Sequence, residues 1–191
     1  NRASSFVYRG YVSVGTGLRS MQLGDLNGDG KNDLAFTFAA STTSGDGAYA
    51  VALYNSTLTL DSDPLPTAPA QPLHFGFAPT QDDVVVRHTV TGGAGPLQIA
   101  DVAAPETPTA ATDGRPDLVI AQPQSGRIIV LANNAFRPGN TFTPYGTPTT
   151  FADGQADSGP DGLTLGAINN DGRQDLVAWS NRANDAEWDV Y

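Results

Sequence analysis

Short runs of apolar residues recur along the chain, and polar residues, Gly or Pro interrupt them. Several runs alternate apolar and polar positions, and none keeps the helical spacing of three and four over about 11 residues. The pattern therefore predicts an all-β protein. The predicted strands cover residues 5–14, 19–23, 34–39, 49–54, 84–89, 97–102, 118–121, 127–132, 163–168 and 176–179.

One motif occurs three times between these strands, and its copies share the order Asp-Gly-basic-x-Asp-Leu. The first copy covers residues 23–35 and the third covers 165–177, whereas the second opens at 99–101 and resumes at 113–119. The closing aspartates Asp33, Asp117 and Asp175 are 84 and 58 residues apart. A unit of four short strands fits either spacing.

The first loop, residues 25–33, carries oxygen side chains at alternate positions. Its candidate ligands are Asp25, Asn27, Asp29 and Asp33 at positions 1, 3, 5 and 9, with the backbone carbonyl of Lys31 at position 7. Such a set of oxygen donors suits Ca²⁺. An EF-hand would need a Glu at position 12, where this chain has Phe36 in a β-favouring run, so that interpretation fails.

The other two loops depart from this pattern. In the second loop, residues 101–117, eight extra residues separate Asp101 from the closing half; its candidate metal ligands are Asp101, Asp113, Arg115 and Asp117. In the third loop, residues 167–175, Ala167 replaces the opening Asp; its candidate ligands are Asn169, Asp171, Arg173 and Asp175. Calcium binding in the second loop requires the insertion to fold back, where it could supply Glu106 or a carbonyl, and the third loop is expected to bind Ca²⁺ more weakly than the first.

Residues 24–34, Gly-Asp-Leu-Asn-Gly-Asp-Gly-Lys-Asn-Asp-Leu, resemble the signature of FG-GAP and VCBS repeats at every fixed position. The resemblance implies β-propeller blades of four antiparallel strands, with Ca²⁺ in the loop between the first two strands. It implies about three blades in residues 1–191, as part of a larger or oligomeric propeller.

Charge and composition narrow the choice of partner. Acidic residues outnumber basic ones 20 to 10, so binding to nucleic acid is unfavourable. The apolar runs are too short for a membrane helix, and the absence of cysteine excludes disulfides and thiolate sites. The chain starts at Asn1 without a signal segment, so we expect a processed form or an excerpt of a longer chain.

No pattern of an enzyme active site is apparent in the sequence. His74 and His88 belong to no catalytic motif and are interpreted as packing or surface residues. Trp179 and Trp188 could stack on sugars, although packing explains them at least as well. The segment containing Asp153, Asp157 and Asp161 is interpreted as an acidic loop, with an accessory cation site as the alternative.

The sequence thus predicts a non-catalytic, calcium-binding propeller module of an extracellular protein, either secreted or on the cell surface, that mediates adhesion, ligand binding or structural assembly. Its expected partners are a protein or carbohydrate ligand, or further copies of itself. Two alternatives remain open: a propeller domain of a secreted carbohydrate-active hydrolase or lyase, and a subunit of an extracellular filament.

Overall fold

The computed structural model describes residues 14–39, 41, 43–54, 75–76, 87–102, 114–133, 149–152, 159–169, 174–181 and 186–190. Every regular element in these ranges is a β-strand, which confirms the all-β prediction. The strands are β1 (Leu18–Gly24), β2 (Asp33–Phe38), β3 (Gly47–Tyr54), β4 (Phe75–Gly76), β5 (Arg87–Val90), β6 (Leu97–Ala100), β7 (Asp117–Gln122), β8 (Arg127–Leu131), β9 (Thr149–Ala152), β10 (Gly162–Gly166), β11 (Asp175–Asn181) and β12 (Ala186–Val190).

Sheet 1 contains β1 to β5, and all its strand pairs are antiparallel. The order is β1-β2-β3, and both β4 and β5 pair with the remaining edge of β3. β5 pairs with the first half of β3, from Gly47 to Ala50, and β4 pairs with Leu53 and Tyr54. Sheet 1 is therefore a four-stranded unit whose outer strand is in two pieces.

Sheet 2 has the order β6-β7-β8-β9, and sheet 3 has the order β10-β11-β12 within the described residues. In each sheet the spatial order of strands follows their order in the chain, and neighbouring strands are antiparallel. The first strand of sheet 2, β6, contacts the first strands of both other sheets, β1 and β10. The three first strands therefore lie side by side.

Sheet 2 lies between the other two sheets, and its second strand is buried on both faces. Leu118 and Ile120 of β7 belong to a core cluster with residues of sheet 1. Val119 and Ala121 point to the opposite face and pack with Leu163 of sheet 3. This position explains why residues 118–121 form an uninterrupted apolar run and do not alternate.

Nine of the ten predicted strands correspond to observed ones, with differences of a few residues at their ends. The exception is 5–14, of which the structure describes only Val14, and that residue is not in a strand. β4, β9 and β12 were not predicted, because they are short or follow segments without clear alternation. Two segments rich in Pro, residues 61–72 and 103–112, are interpreted from the sequence as surface insertions, and both lie outside the described residues.

Across the ranges that the structure describes, no helix has the length and apolar character to cross a membrane.

Candidate metal centre

The first loop connects β1 to β2 and wraps around the side chain of Asp25. Oδ1 of Asp25 accepts the N–H groups of Gly28 and Asp29 at 2.8 and 3.1 Å, and Oδ2 accepts the N–H of Gly30 at 2.8 Å. The φ angles of Gly28 and Gly30 are 76° and 82°, which a residue with a side chain rarely adopts. The two glycines therefore allow the backbone to turn around the opening carboxylate.

Two further candidate ligands form smaller turns in the same loop. Oδ1 of Asn27 accepts the N–H of Asp29 at 2.9 Å, and Oδ1 of Asp29 accepts the N–H of Lys31 at 2.9 Å. Asp29 and Lys31 are exposed, and Asn27 is half-buried. The side-chain oxygens at positions 1, 3 and 5 are thus held close to the loop backbone.

The closing residue of the first loop, Asp33, has a different environment. It begins β2 opposite Gly24 of β1 and is completely buried. Its Oδ2 accepts the N–H of Leu26 at 2.9 Å, and Leu26 is also buried. A buried carboxylate that accepts a buried N–H satisfies both groups, so Asp33 fixes the two ends of the loop to each other.

The second loop repeats the opening contact although it is eight residues longer. Oδ2 of Asp101 accepts the N–H of Gly114 at 2.8 Å, as Oδ2 of Asp25 does from Gly30. Gly114 has a φ of 79°, close to the value at Gly30. Asp101 and Gly114 therefore occupy the positions that the motif assigns them, and the insertion does not displace them.

The closing contact is repeated as well. Oδ2 of Asp117 accepts the N–H of Val102 at 3.0 Å, as Asp33 does from Leu26. Oδ1 of Asp117 in addition accepts the N–H of Asn133 at 2.8 Å, and only 4% of Asp117 is exposed. Both carboxylate oxygens of the second closing aspartate are therefore engaged with backbone N–H groups.

The second carboxylate oxygen of Asp101, Oδ1, has a different environment from the first. Oδ1 of Asp101 is shielded from solvent and has no hydrogen-bond partner in the part of the chain that the structure describes. A buried carboxylate oxygen without a donor is unfavourable, because it loses its hydration and gains nothing in return. The site around Asp101 is thus suited to a cation.

The third loop keeps the closing contact without the opening one. Oδ2 of Asp175 accepts the N–H groups of Ile168 and Asn169 at 2.6 and 3.3 Å. The Asn169 side chain donates from Nδ2 to Oδ1 of Asp175 at 3.4 Å, and the exposed Ala167 has no oxygen to offer. Asn169 therefore lies beside Asp175, its partner in the proposed ligand set.

Three of the candidate ligands, Asp113, Asp171 and Arg173, lie outside the described residues. Arg115 is described and half-buried in the second loop, three residues after the insertion. Within the described ranges, no three carboxylate or imidazole side chains converge as a group that could hold a metal. The fit to Ca²⁺ rests on the oxygen donors of the loops, their order in the chain, and the unmatched oxygen of Asp101.

Sequence reasoning did not identify Asn133, which follows β8. Its Nδ2 donates to the carbonyl of Leu26 in the first loop at 2.9 Å and to the carbonyl of Pro116 in the second loop at 3.0 Å. The residue is buried, and its own N–H binds Asp117. Asn133 therefore links the two loops directly. The sequence carries no signal for this role, since an Asn after a strand is typical of any turn.

His88 and Trp179, which the sequence analysis considered for other functions, make packing contacts in the structure. His88 lies in β5 and stacks on Tyr49, with ring centroids 5.1 Å apart, and burial lowers the pKa of its imidazole. The Trp179 ring packs on Gly162, where a Cβ would overlap it, although 44% of Trp179 is exposed. His74 lies outside the described residues, as do Asp153 and Asp157.

Two family models match the chain. The one described as FG-GAP repeat matches residues 18–54, and the one described as FG-GAP-like repeat matches residues 112–178. Together these segments cover more than half of the chain. The chain belongs to the FG-GAP repeat family. Neither a curated protein nor a solved structure matches it.

FG-GAP repeats are blades of β-propellers, and sheets 1 to 3 agree with that architecture. Each sheet is antiparallel, its strands are in chain order, and the motif loop connects the first strand to the second. The first match covers β1 to β3 with the first loop, and the second covers β7 to β10 and most of β11 with the third loop. The FG-GAP family is typically non-catalytic.

Proposed function

We propose that this FG-GAP protein is a non-catalytic, calcium-binding propeller module of an extracellular protein. Ca²⁺ would be held in the first loop by Asp25, Asn27, Asp29 and Asp33 with the carbonyl of Lys31, and in the second by the set that begins with Asp101. The bound ion supplies positive charge that cross-links acidic side chains of one loop. Its role is structural, and the blades present surfaces to a protein or carbohydrate partner, or to further copies.

The observation that carries this proposal is the environment of Asp101. This carboxylate repeats the Asp25 contact to a glycine N–H, and its second oxygen is buried without a donor in the described residues. A structure that places a carboxylate oxygen in this way gains stability from a cation, because the cation replaces the lost hydration. The formal charge of −10 adds to the attraction for cations.

Calorimetric titration of the protein with Ca²⁺ tests the proposal. We expect Asp101→Asn and Asp29→Ala each to abolish binding at one site. Arg127→Gln is the control, because Arg127 is exposed at the start of β8 and lies outside the three loops. Calcium uptake that is unchanged in both loop variants would refute the assignment.

Thermal unfolding gives a second measurement of the same sites. At a free Ca²⁺ concentration of about 100 times the Kd, one site that binds only the folded protein adds about 2.7 kcal/mol to the free energy of unfolding. In a domain of this size, each kcal/mol raises the Tm by about 2–4 °C. A chelator should therefore lower the Tm by roughly 5–11 °C per site, and a screen for hydrolase activity should be negative with and without Ca²⁺.

A further inference from the structure

A cavity of about 380 Å³ lies at the ends of the first strands that are opposite to the motif loops. Arg19, Gly95 and Asp161 line it, and each lies six residues before the first position of its motif loop. Because β1, β6 and β10 lie side by side, these equivalent positions meet at one place. Arg19 brings a positive charge to this place and Asp161 an acidic group, whereas Gly95 has no side chain.

Hydrogen bonds to backbone carbonyls hold the wall of this cavity in place. The buried Gln122 side chain donates from Nε2 to the carbonyls of Thr91 and Gly93 at 2.7 and 2.9 Å. The N–H of Gly95 donates to the carbonyl of Ala121 at 2.8 Å. The segment before β6 is thereby held against the end of β7, and the turn that follows β7 contributes Gln124 to the lining.

The polar groups at the rim are also anchored through their backbones or neighbours. The N–H of Asp161 donates to the carbonyl of Trp179 at 2.8 Å, which fixes the point from which its carboxylate extends. The hydroxyl oxygen of Ser20 accepts the N–H of Leu97 at 3.3 Å, so its hydrogen can be donated elsewhere. Sheets 1 and 3 therefore each contribute a positioned polar group.

The chemistry of this lining selects a class of ligand. Arg19 can only donate hydrogen bonds, an ionised Asp161 can only accept them, and Gln124 and Ser20 can do both. An anion would meet Arg19 but be repelled by Asp161 and by the net charge of −10, and a cation would have the reverse conflict with Arg19. A neutral molecule with several hydroxyl groups can donate to Asp161, accept from Arg19 and do both with Gln124 and Ser20.

We propose that this cavity binds a carbohydrate of one or two sugar rings. Its volume is near the lower end of the range for small-molecule pockets, about 300–1,000 Å³, which excludes a long polymer from lying wholly inside. Pro96 and Pro123 in the lining add apolar surface for the C–H face of a ring. No described residue of the motif loops lines this cavity. The tests can therefore exclude sugar binding without excluding calcium binding, and can exclude calcium binding without excluding sugar binding.

The experiment uses a defined panel of probes: glucose, galactose, mannose, fucose, N-acetylglucosamine and their common disaccharides, with glycine as a zwitterionic comparison. Each is added at about 10 mM, which saturates even a complex with a Kd near 1 mM. Saturation-transfer NMR in the presence of Ca²⁺ identifies a binder, and calorimetry then gives its Kd. Absence of binding by every sugar, or a preference for glycine over all sugars, would overturn the proposal.

Substitutions connect the binding to this cavity. Asp161→Asn and Arg19→Gln should each weaken the best sugar by about tenfold or more, because each removes a hydrogen bond to a charged group. Arg127→Gln is the matched control, since Arg127 is exposed at the start of β8 and does not line the cavity; it should change the Kd less than about twofold. A Tm equal to that of the unsubstituted protein shows that each variant is folded, and unchanged sugar affinity in both cavity variants would place the sugar elsewhere.

Discussion

The first and second motif loops reach the same geometry with very different lengths of chain. From opening to closing aspartate, the first has nine residues and the second has seventeen. In both, the opening carboxylate accepts a glycine N–H at 2.8 Å, and the closing carboxylate accepts the N–H of the residue after the opening position, at 2.9 and 3.0 Å. The extra residues leave these contacts unchanged.

This comparison shows which part of the motif determines the loop. The insertion leaves the loop after Val102 and returns before Gly114, and these two residues are the donors in the preserved contacts. The chain is therefore fixed on both sides of the insertion. Lengthening a loop between two fixed points costs little, since the entropy of closure grows only with the logarithm of its length.

The largest expected effect comes from removing the closing aspartate of the long loop. Asp117→Ala removes the acceptor of two N–H groups, that of Asn133 at a buried position and that of Val102 at a partly buried one. Hydrogen bonds to charged groups contribute about 1.5–3 kcal/mol each, so the free energy of unfolding should fall by about 3–5 kcal/mol. Urea denaturation in the presence of a chelator measures this loss without any contribution from Ca²⁺.

The control for this variant is Asp161→Ala, which removes an exposed aspartate outside the motif loops. Its effect should stay within about 0.5 kcal/mol. A loss of under about 1 kcal/mol in Asp117→Ala would mean that the insertion itself, and not the buried carboxylate, holds the second loop together.

The sequence was informative about the fold because the repeated motif and the apolar runs agree with each other. Residues 118–121 were predicted as a strand from their apolar character, and β7 is indeed buried on both faces. The strands β4, β9 and β12 were missed because they are short or follow segments without clear alternation. β4, for example, is the two residues Phe75 and Gly76.

The chemistry of the loops was less predictable than their location. From spacing alone, the closing residue of each loop was predicted as a metal ligand like the others: Asp33, Asp117 and Asp175. In the structure each of these carboxylates accepts a hydrogen bond from the backbone N–H of the second residue of its loop. That contact depends on burial, which a list of spacings does not contain. The link through Asn133 joins residues more than 100 positions apart and requires the sheets to be packed first.

The third loop allows the role of the opening carboxylate to be tested by gain of function. Ala167 is exposed, and Asp175 already fixes Ile168 beside it. Because the number of charged ligands sets calcium affinity, Ala167→Asp should tighten binding at this loop by about tenfold. Calorimetric titration measures the change. Ala167→Asn, which adds the shape without the charge, should give a smaller gain, and equal affinity in all three proteins would show that position 1 contributes no ligand.

The smallest expected effect comes from making the second loop as short as the first. Replacing residues 103–112 by Asn-Gly gives a nine-residue loop that still runs from Asp101 to Asp117. Halving the loop should raise the free energy of unfolding by only about 0.6 kcal/mol, or roughly 1–2 °C in Tm, because the chain loses less entropy on closing it. Urea denaturation in chelator provides the measurement, and a loss of more than about 2 kcal/mol would show that the insertion makes contacts that the loop needs.

A sharper experiment combines the shortened loop with Asp117→Ala. If the buried carboxylate fixes the loop independently of the insertion, its removal costs the same in the long and the short loop to within about 0.5 kcal/mol.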